Sequence, residues 1–256
     1  MKLISFDLKA DFAFFRKPDT NATINLSYNI IHRPAVLGIL GAIIGLEGYK
    51  EKGKLPQYYE VLKEMRIGIE PLNHDNGNYA KTDIKYSNTV GYANKGTNFL
   101  TEELTLINPA YRIFLLLDEN NEYQAKLLTA LKNGEAEYIP YLGKNEFTAW
   151  WDAASYREYT FQKADIGIEQ SIKITTIFLK DFIVKDNRQK RGFDIVFSND
   201  NEIPFLYFER LPCDFDLSLM QYDVREFAYS TFKIKNASDM ESLYYLENNL
   251  SYVQLL

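Results

Sequence analysis

Arg16, Lys17 and Arg33 bracket a polar loop that runs into an apolar stretch, an arrangement suited to binding an anion. The first N–H groups of a helix have no partners within it, and the helix dipole puts partial positive charge at that end. Cations beside it could therefore complete a phosphate site, or they could simply solvate the loop. Tyr28, just before Arg33, could stack on a base or pack under the loop. A second set lies at 79–99, where Lys81, Lys85 and Lys95 face one acid, Asp83, and interleave with Tyr79, Tyr86 and Tyr92. A ring face beside an ammonium can hold a base and its phosphate, although such clusters are also ordinary solvated surface. A third cluster, Lys180, Lys185, Arg188, Lys190 and Arg191 against Asp181 and Asp186, reads first as solvated surface.

For catalysis the residues offer less. His32 and His74 are the only imidazoles. Metal-free RNA cleavage needs a base and an acid poised near neutral pH, with a cation for the developing phosphorane charge. His32, beside Arg33 and near Tyr28, can be drawn as that base, but it reads more readily as a hydrogen-bond donor to RNA or a loop residue. Carboxylate pairs such as Glu102 with Glu103 and Asp214 with Asp216 lack His or Cys support, so no metal or other cofactor is expected. Neither GxSxG, GxGxxG nor a Walker loop is present. Cys213, the only cysteine, excludes an intramolecular disulfide and reads as an inert buried thiol in a reducing interior.

The elements that must position these residues begin with alternation in FDLKA, a half-buried strand, followed by the aromatic run Phe12, Phe14 and Phe15. Pro18, Asp19, Asn21 and Asn25 then predict a loop, and Pro34 suits the first turn of a helix over 35–46. Gly38, Gly41 and Gly45 fall near one face of that helix, predicting close packing against a sheet. At 13 residues, 34–46 is too short to cross a membrane, for which about 18 to 20 apolar residues are needed. A helical continuation at 57–65, a strand at 66–72 and a long hairpin or loop at 73–98 are expected next. Strands at 104–107 and 111–117, a helix at 122–132 stopped by Gly134, and a returning strand at 136–141 follow. Further strands are expected at 171–179, 192–197, 203–208 and 227–234.

With 256 residues, 46% of them hydrophobic, the chain has ample material for a core. Its 19 Tyr and 17 Phe are expected mostly to pack, with exposed rings free to stack on bases. The net charge of −6 argues against a stand-alone nucleic-acid binder. Inside an assembly a local positive groove would suffice, with neighbouring chains neutralising the remaining phosphates. MKLISFDLKA lacks the apolar run and small-residue cleavage site of a secretory signal, so a cytoplasmic protein is expected.

Taken in order, FAFFRKPDTNATINLSY, RPAVLGILGAIIGLE, LTEELTLINPAYRIFLLL and YIPYLGKNEFTAW, with FERLP at 208–212 as a weaker fifth, resemble the CRISPR-associated Cas-five family, closest to its type I-B branch. The family enters its helix through a Pro-Pro-Arg-Thr-like segment, where this chain has Ile31, His32, Arg33 and Pro34. The resemblance implies an α+β fold. Residues 1–153 would form a ferredoxin-like domain, of the RNA-recognition-motif type and the RAMP superfamily, with a thumb-like hairpin inserted at 73–98. Residues 154–256 would form a smaller β-rich domain. It also implies a non-catalytic subunit of a type I CRISPR surveillance complex (Cascade) that holds the 5′ handle of the guide RNA in antiviral defence. Its partners would be the backbone subunit and the large subunit, with target DNA engaged only through the complex and no membrane. The residues expected at the RNA are Arg16, Lys17, Tyr28, His32, Arg33, Lys81, Lys85, Tyr86, Lys95 and, in the turn of YLGKNEF, Gly143 and Lys144. Type I-C relatives that cut precursor guide RNA use a Tyr, Lys and His set with no residue-by-residue match here. A metal-independent endoribonuclease using His32, and a purely protein-to-protein adaptor, remain the alternatives.

Overall fold

In the strand Lys2–Ala10 (β1) the residues from Leu3 to Phe6 are buried in succession, as expected of a strand covered on both faces. The computed structural model describes residues 1–18, 23–87, 100–167, 169–183, 190–197 and 203–256. After β1 come β2 (Phe12–Ala13), β3 (Phe15–Arg16), β4 (Ile24–Tyr28), helices α1 (Arg33–Ile44) and α2 (Gln57–Leu62), and β5 (Arg66–Leu72). Next are β6 (Lys81–Ser87), β7 (Leu100–Ile107), β8 (Ala110–Leu117), helix α3 (Glu122–Asn133), β9 (Ala149–Trp150) and β10 (Arg157–Tyr159). The central sheet runs β10-β1-β8-β5, antiparallel throughout, with β9 also on β1. Counting this sheet and the long helices α1 and α3, the chain order is strand, helix, strand, strand, helix, strand.

Register decides what each face of that sheet meets. Ile4, Phe6 and Leu8 of β1 lie beside Leu115, Ile113 and Tyr111 of β8, and all join Leu37, Leu40, Leu127 and Leu131 of α1 and α3 in the main core. The alternate residues Leu3, Phe114 and Leu116 point the other way, into a cluster with Tyr244, Leu246, Val253 and Leu255. Gly68 of β5 lies on this second face, where a Cβ would stand 2.7 Å from Leu255 and 3.0 Å from the Gln254 carbonyl, so only glycine lets the two backbones close. Helices therefore cover one face of the sheet and the C-terminal chain covers the other. The outer edge of β5 is closed as well, by hydrogen bonds of Ile67 with Leu256 and of Ile177 with Ile69.

A second sheet, β2-β7-β4-β3 with β6 on β7, stands beside the first. Residues 24–28, expected as loop, form β4 because Ile24, Leu26 and Tyr28 alternate and find a parallel partner in β7. β6 and β7 form the limbs of the hairpin, so the run at 104–107 is the root of its return limb; residues 88–99 lie outside the described residues. The strand expected at 136–141 is absent apart from a bridge between Tyr141 and Thr148, and β9 and β10 supply that edge of the central sheet instead. Tyr138 N–H and Glu137 N–H are taken by carbonyls at the end of α1, which pins the segment to a helix rather than a sheet.

The C-terminal part contains β11 (Phe161–Lys163), β12 (Phe178–Leu179), β13 (Asp181–Ile183), β14 (Lys190–Gly192), β15 (Asp194–Val196), β16 (Leu206–Asp216), β17 (Gln221–Ser230), β18 (Lys233–Lys235), β19 (Leu243–Leu246) and β20 (Ser251–Gln254). Its dominant feature is the β16–β17 hairpin, in which the strands expected at 203–208 and 227–234 extend and pair. Of the run at 171–179 only β12 is strand, and Ile172 and Ile174 make isolated bridges. Leu211, Cys213, Phe227 and Tyr229 of the hairpin enter the main core.

Candidate nucleic-acid interface

Period-two alternation sorts the second sheet's side chains into two faces. Phe15 and Tyr28 are paired across β3 and β4, and Lys81 and Lys85 stand opposite Leu106 and Glu102, on the core-ward face. Arg16 is opposite Ser27, and Tyr86 opposite Thr101, on the reverse face. The expected RNA contacts thus fall on both sides of one sheet.

On the core-ward face Tyr28 is packed, 4% exposed, with its ring edge-on to His32 at 5.5 Å and the Lys17 ammonium 5.1 Å from its centroid. Of the two options open for Tyr28, this is packing beneath the loop. The Lys17 ammonium lies 3.0 Å from Oε1 of Glu209 in β16, a carboxylate only 4% exposed. Oε1 also accepts the Asn29 N–H and Oε2 the Ile30 N–H, each at 3.0 Å. Asn29 Oδ1 in turn accepts the Tyr79 N–H at 3.0 Å and the Lys81 ammonium at 3.1 Å. Burial lowers the Lys81 pKa, with Glu209 opposing that shift and Lys17 adding to it. Lys17, Tyr28 and Lys81 are therefore brought together around Asn29 and Glu209. Neither of the latter was singled out as a site residue, and the only signal was the place of Glu209 in FERLP.

The mouth of α1 turns inward. His32 is its N-cap, its Nδ1 accepting the Ala35 N–H at 3.2 Å, and Pro34 sits in the first turn. The ring is 8% exposed among Phe15, Tyr28 and Tyr222, and burial pulls its pKa down to about 3. Its basic nitrogen is thus already engaged by a backbone donor. Arg33 points away from the polar loop, donating to the carbonyls of Leu256 at 3.1 Å, Cys213 at 3.4 Å, Met65 at 3.0 Å and Lys63. The phosphate site expected between Arg33 and the helix mouth is filled by protein groups, because β16 and the last residue close over it. His74 is engaged too, its Nδ1 accepting the Gly77 N–H at 3.0 Å while Nε2 lies 3.0 Å from the Tyr229 hydroxyl.

The reverse face carries a different cluster. Lys144 lies 2.7 Å from Glu103 and 3.2 Å from Glu146, with its ammonium 3.9 Å from the Tyr86 ring centroid. Burial works against the charge on Lys144, but the two carboxylates and the Tyr86 hydroxyl outweigh it, and its pKa rises. Gly143 has φ +87°, and a Cβ there would collide with the Phe14 carbonyl, so this glycine serves the close approach of the turn to the strand segment between β2 and β3. Lys85, on the core-ward face and more exposed, pairs with Glu102 at 2.8 Å. Arg16 is exposed and has no ion-pair partner among the described residues. Lys95 and Tyr92 lie outside the described residues, as do Lys185 and Arg188.

Among the described residues no group of His, Cys, Asp or Glu could hold a metal ion, and no helix is long and apolar enough to cross a membrane. The family model described as CRISPR-associated protein (Cas_Cas5) matches residues 3–227. No curated protein matches the chain. A crystal structure of a CRISPR protein from Archaeoglobus fulgidus aligns over 99% of this chain and 98% of its own, at 14% identity and a TM-score of 0.50. A chain of a CRISPR RNA-guided surveillance complex aligns over 92% of each chain, at 10% identity and a TM-score of 0.47. A chain of a type III-B Cmr-beta complex bound to cognate target RNA and AMPPnP aligns over 92% of this chain and 86% of its own, at 13% identity and 0.43.

Proposed function

The chain belongs to the Cas-five family of CRISPR-associated proteins, and from that membership we propose that it is a non-catalytic RNA-binding subunit of a type I CRISPR effector complex, holding the 5′ handle of the guide RNA. The observation that carries the reading is the family match along residues 3–227. The central sheet is read as ferredoxin-like, from its strand order and the two helices on one face. In an RNA-recognition motif the exposed sheet face stacks bases. Here that face lies under Leu255, Tyr244 and Val253, so RNA is assigned to the second sheet and its hairpin. Lys17, Lys81 and Lys85, with Arg16, Tyr86 and Lys144 on the reverse side, are the contacts proposed, and Lys95 would extend them along the hairpin. His32 and Arg33 support the interface from within. The backbone and large subunits are its proposed neighbours, in the cytoplasm, with target DNA read by the guide itself.

The engaged Nδ1 of His32 and its pKa of about 3 favour binding over cleavage. Incubating the purified full chain with a labelled repeat RNA in EDTA is expected to give a retarded complex and no cleavage product. Site-specific cutting lost in His32→Ala would instead make the protein a guide-processing nuclease. Absence of RNA binding by both the chain and its assembled complex would leave only the adaptor role.

A further inference from the structure

The turn at the tip of the β16–β17 hairpin has an unusual composition. Turns between strands favour Gly, Asn, Asp and Ser, yet this one shows Leu217, Leu219 and Met220 to solvent, at 41%, 63% and 57% exposed. Met220 also takes the left-handed conformation, φ +51°, which is uncommon outside Gly, Asn and Asp. The turn is nevertheless fixed: Asp216 Oδ1 accepts the Ser218 N–H at 2.8 Å, the Ser218 hydroxyl at 2.6 Å and the Leu219 N–H at 3.2 Å. Its polar groups are spent on holding apolar side chains outward. Beside the tip, the connection between α1 and α2 supplies the second wall of a groove of about 350 Å³, lined by Tyr49 and Leu55 on that side and by Phe215, Leu217 and Met220 on the hairpin side. Single exposed leucines, such as Leu250 at the β19–β20 turn, are ordinary, whereas several together around a cleft mark a contact surface.

We infer that this groove is a docking site for a neighbouring protein chain that inserts a bulky apolar side chain flanked by acidic residues. This rests on the reading of the chain as a subunit of a CRISPR effector complex. Aliphatic side chains offer no π-face, and the Phe215 ring is already met edge-on by Tyr222 at 5.5 Å, so a nucleobase would have only Tyr49 to stack on. Leu, Met and Phe around a cleft instead suit the dry centre of a protein interface. The rim sets the charge of the partner. Lys50 pairs with Glu47, and Lys54 with Glu51 at 2.7 Å, while Lys52 is exposed and has no ion-pair partner among the described residues. Over 47–54 three lysines thus stand against two glutamates, on a chain whose net charge is −6, and an acidic segment is complementary to that rim.

The effector complex is assembled by co-expressing the full-length chain with the other proteins and the guide RNA of its own CRISPR system, with p-benzoylphenylalanine replacing Met220 or, as a control, Leu250. Irradiation is expected to join position 220 to one neighbouring protein and to leave position 250 without that adduct. The double variant Leu217→Glu, Leu219→Glu should lower recovery of the chain with that neighbour by about tenfold, while the dissociation constant of the isolated chain for a labelled repeat RNA stays at the wild-type value. Lys52→Glu should lower the same recovery, with the loss shrinking as salt rises. An adduct with the guide RNA, or weaker RNA binding by the double variant, would overturn the proposal in favour of a nucleotide site. An assembled complex with no adduct at 220, or equal adducts at 220 and 250, would overturn it outright, as would undiminished recovery of the double variant. Undiminished recovery of Lys52→Glu would overturn the acidic partner. Should the double variant fail to fold, the adducts decide alone. A wild-type chain that joins no complex would remove the functional reading and this inference together, whereas normal assembly without the adduct removes only the inference.

Discussion

At the scale of single residues, three of the cations that looked free in the sequence prove to be already partnered. Arg33 serves four carbonyls, Lys17 a buried carboxylate, and Lys144 two more carboxylates beneath a tyrosine. Two groups displaced by burial that titrate in the acid-to-neutral range, His32 and Glu70, pull stability in opposite directions with pH. His32 is held neutral to about pH 3, below its unfolded value of about 6.5, so the unfolded chain takes up a proton first. Its contribution is present above pH 6.5 and is lost as pH falls toward 3. Glu70 is the reverse: burial raises it to about 7, against opposition from Arg112, so its contribution is full below pH 4.5 and is lost as pH rises through 7. Between pH 6.5 and 4.5 the two offset each other. Glu70→Gln should therefore steepen the acid loss of stability, by up to about 1.4 kcal/mol per pH unit, and His32→Asn should flatten it while retaining a capping oxygen. Urea denaturation at pH 7, 6 and 5 checks this, and parallel curves for all three proteins would refute it.

Among the elements, α1 shows how a glycine pattern can be read correctly and assigned to the wrong neighbour. Its three glycines predicted close contact with a sheet. Gly41 instead receives Tyr58 of α2, where a Cβ would overlap the tyrosine Cβ, and Gly45 is the left-handed C-cap with φ +78°. Gly38 has room, its nearest neighbour being the Tyr58 ring at 3.7 Å. Gly41→Ala should cost about 1–3 kcal/mol by forcing α2 away, whereas Gly38→Ala should be neutral or stabilising by up to about 1 kcal/mol from helix propensity. Thermal melts of the two variants distinguish them, and equal destabilisation would mean that α2 does not seat on this face. The same helix's start was legible from Pro34. That His32 would be its cap was not, because imidazole is an uncommon capping group.

Across the whole molecule, Arg33 is the tie between layers, joining the end of α2, the β16 strand and the last residue. Arg33→Ala should remove the donor that these carbonyls share, leave the part-buried Cys213 and Met65 oxygens without it, and lower stability by about 2–4 kcal/mol. Because the guanidinium lies inside, the salt slope of RNA binding should stay at the wild-type value. A fallen slope with unchanged stability would return Arg33 to the RNA contacts. The same layering hides one face of the central sheet beneath the C-terminal strands, and that closure directs the proposed RNA contacts to the second sheet and its hairpin.

The helices and most central strands were legible because period, caps and turn glycines are local: Asn121 and Gly134 bound α3, and alternation marks β1. Family membership was legible from the order of five segments. Strands β4 and β10 were not, since each is short and exists only because a partner strand from elsewhere pairs with it. Which cations remain available to a ligand was decided by tertiary structure alone. The groups that neutralise Lys17 and Lys144, or saturate Arg33, come from segments remote in the chain, and electrostatics acts through distances that spacing along a sequence does not contain.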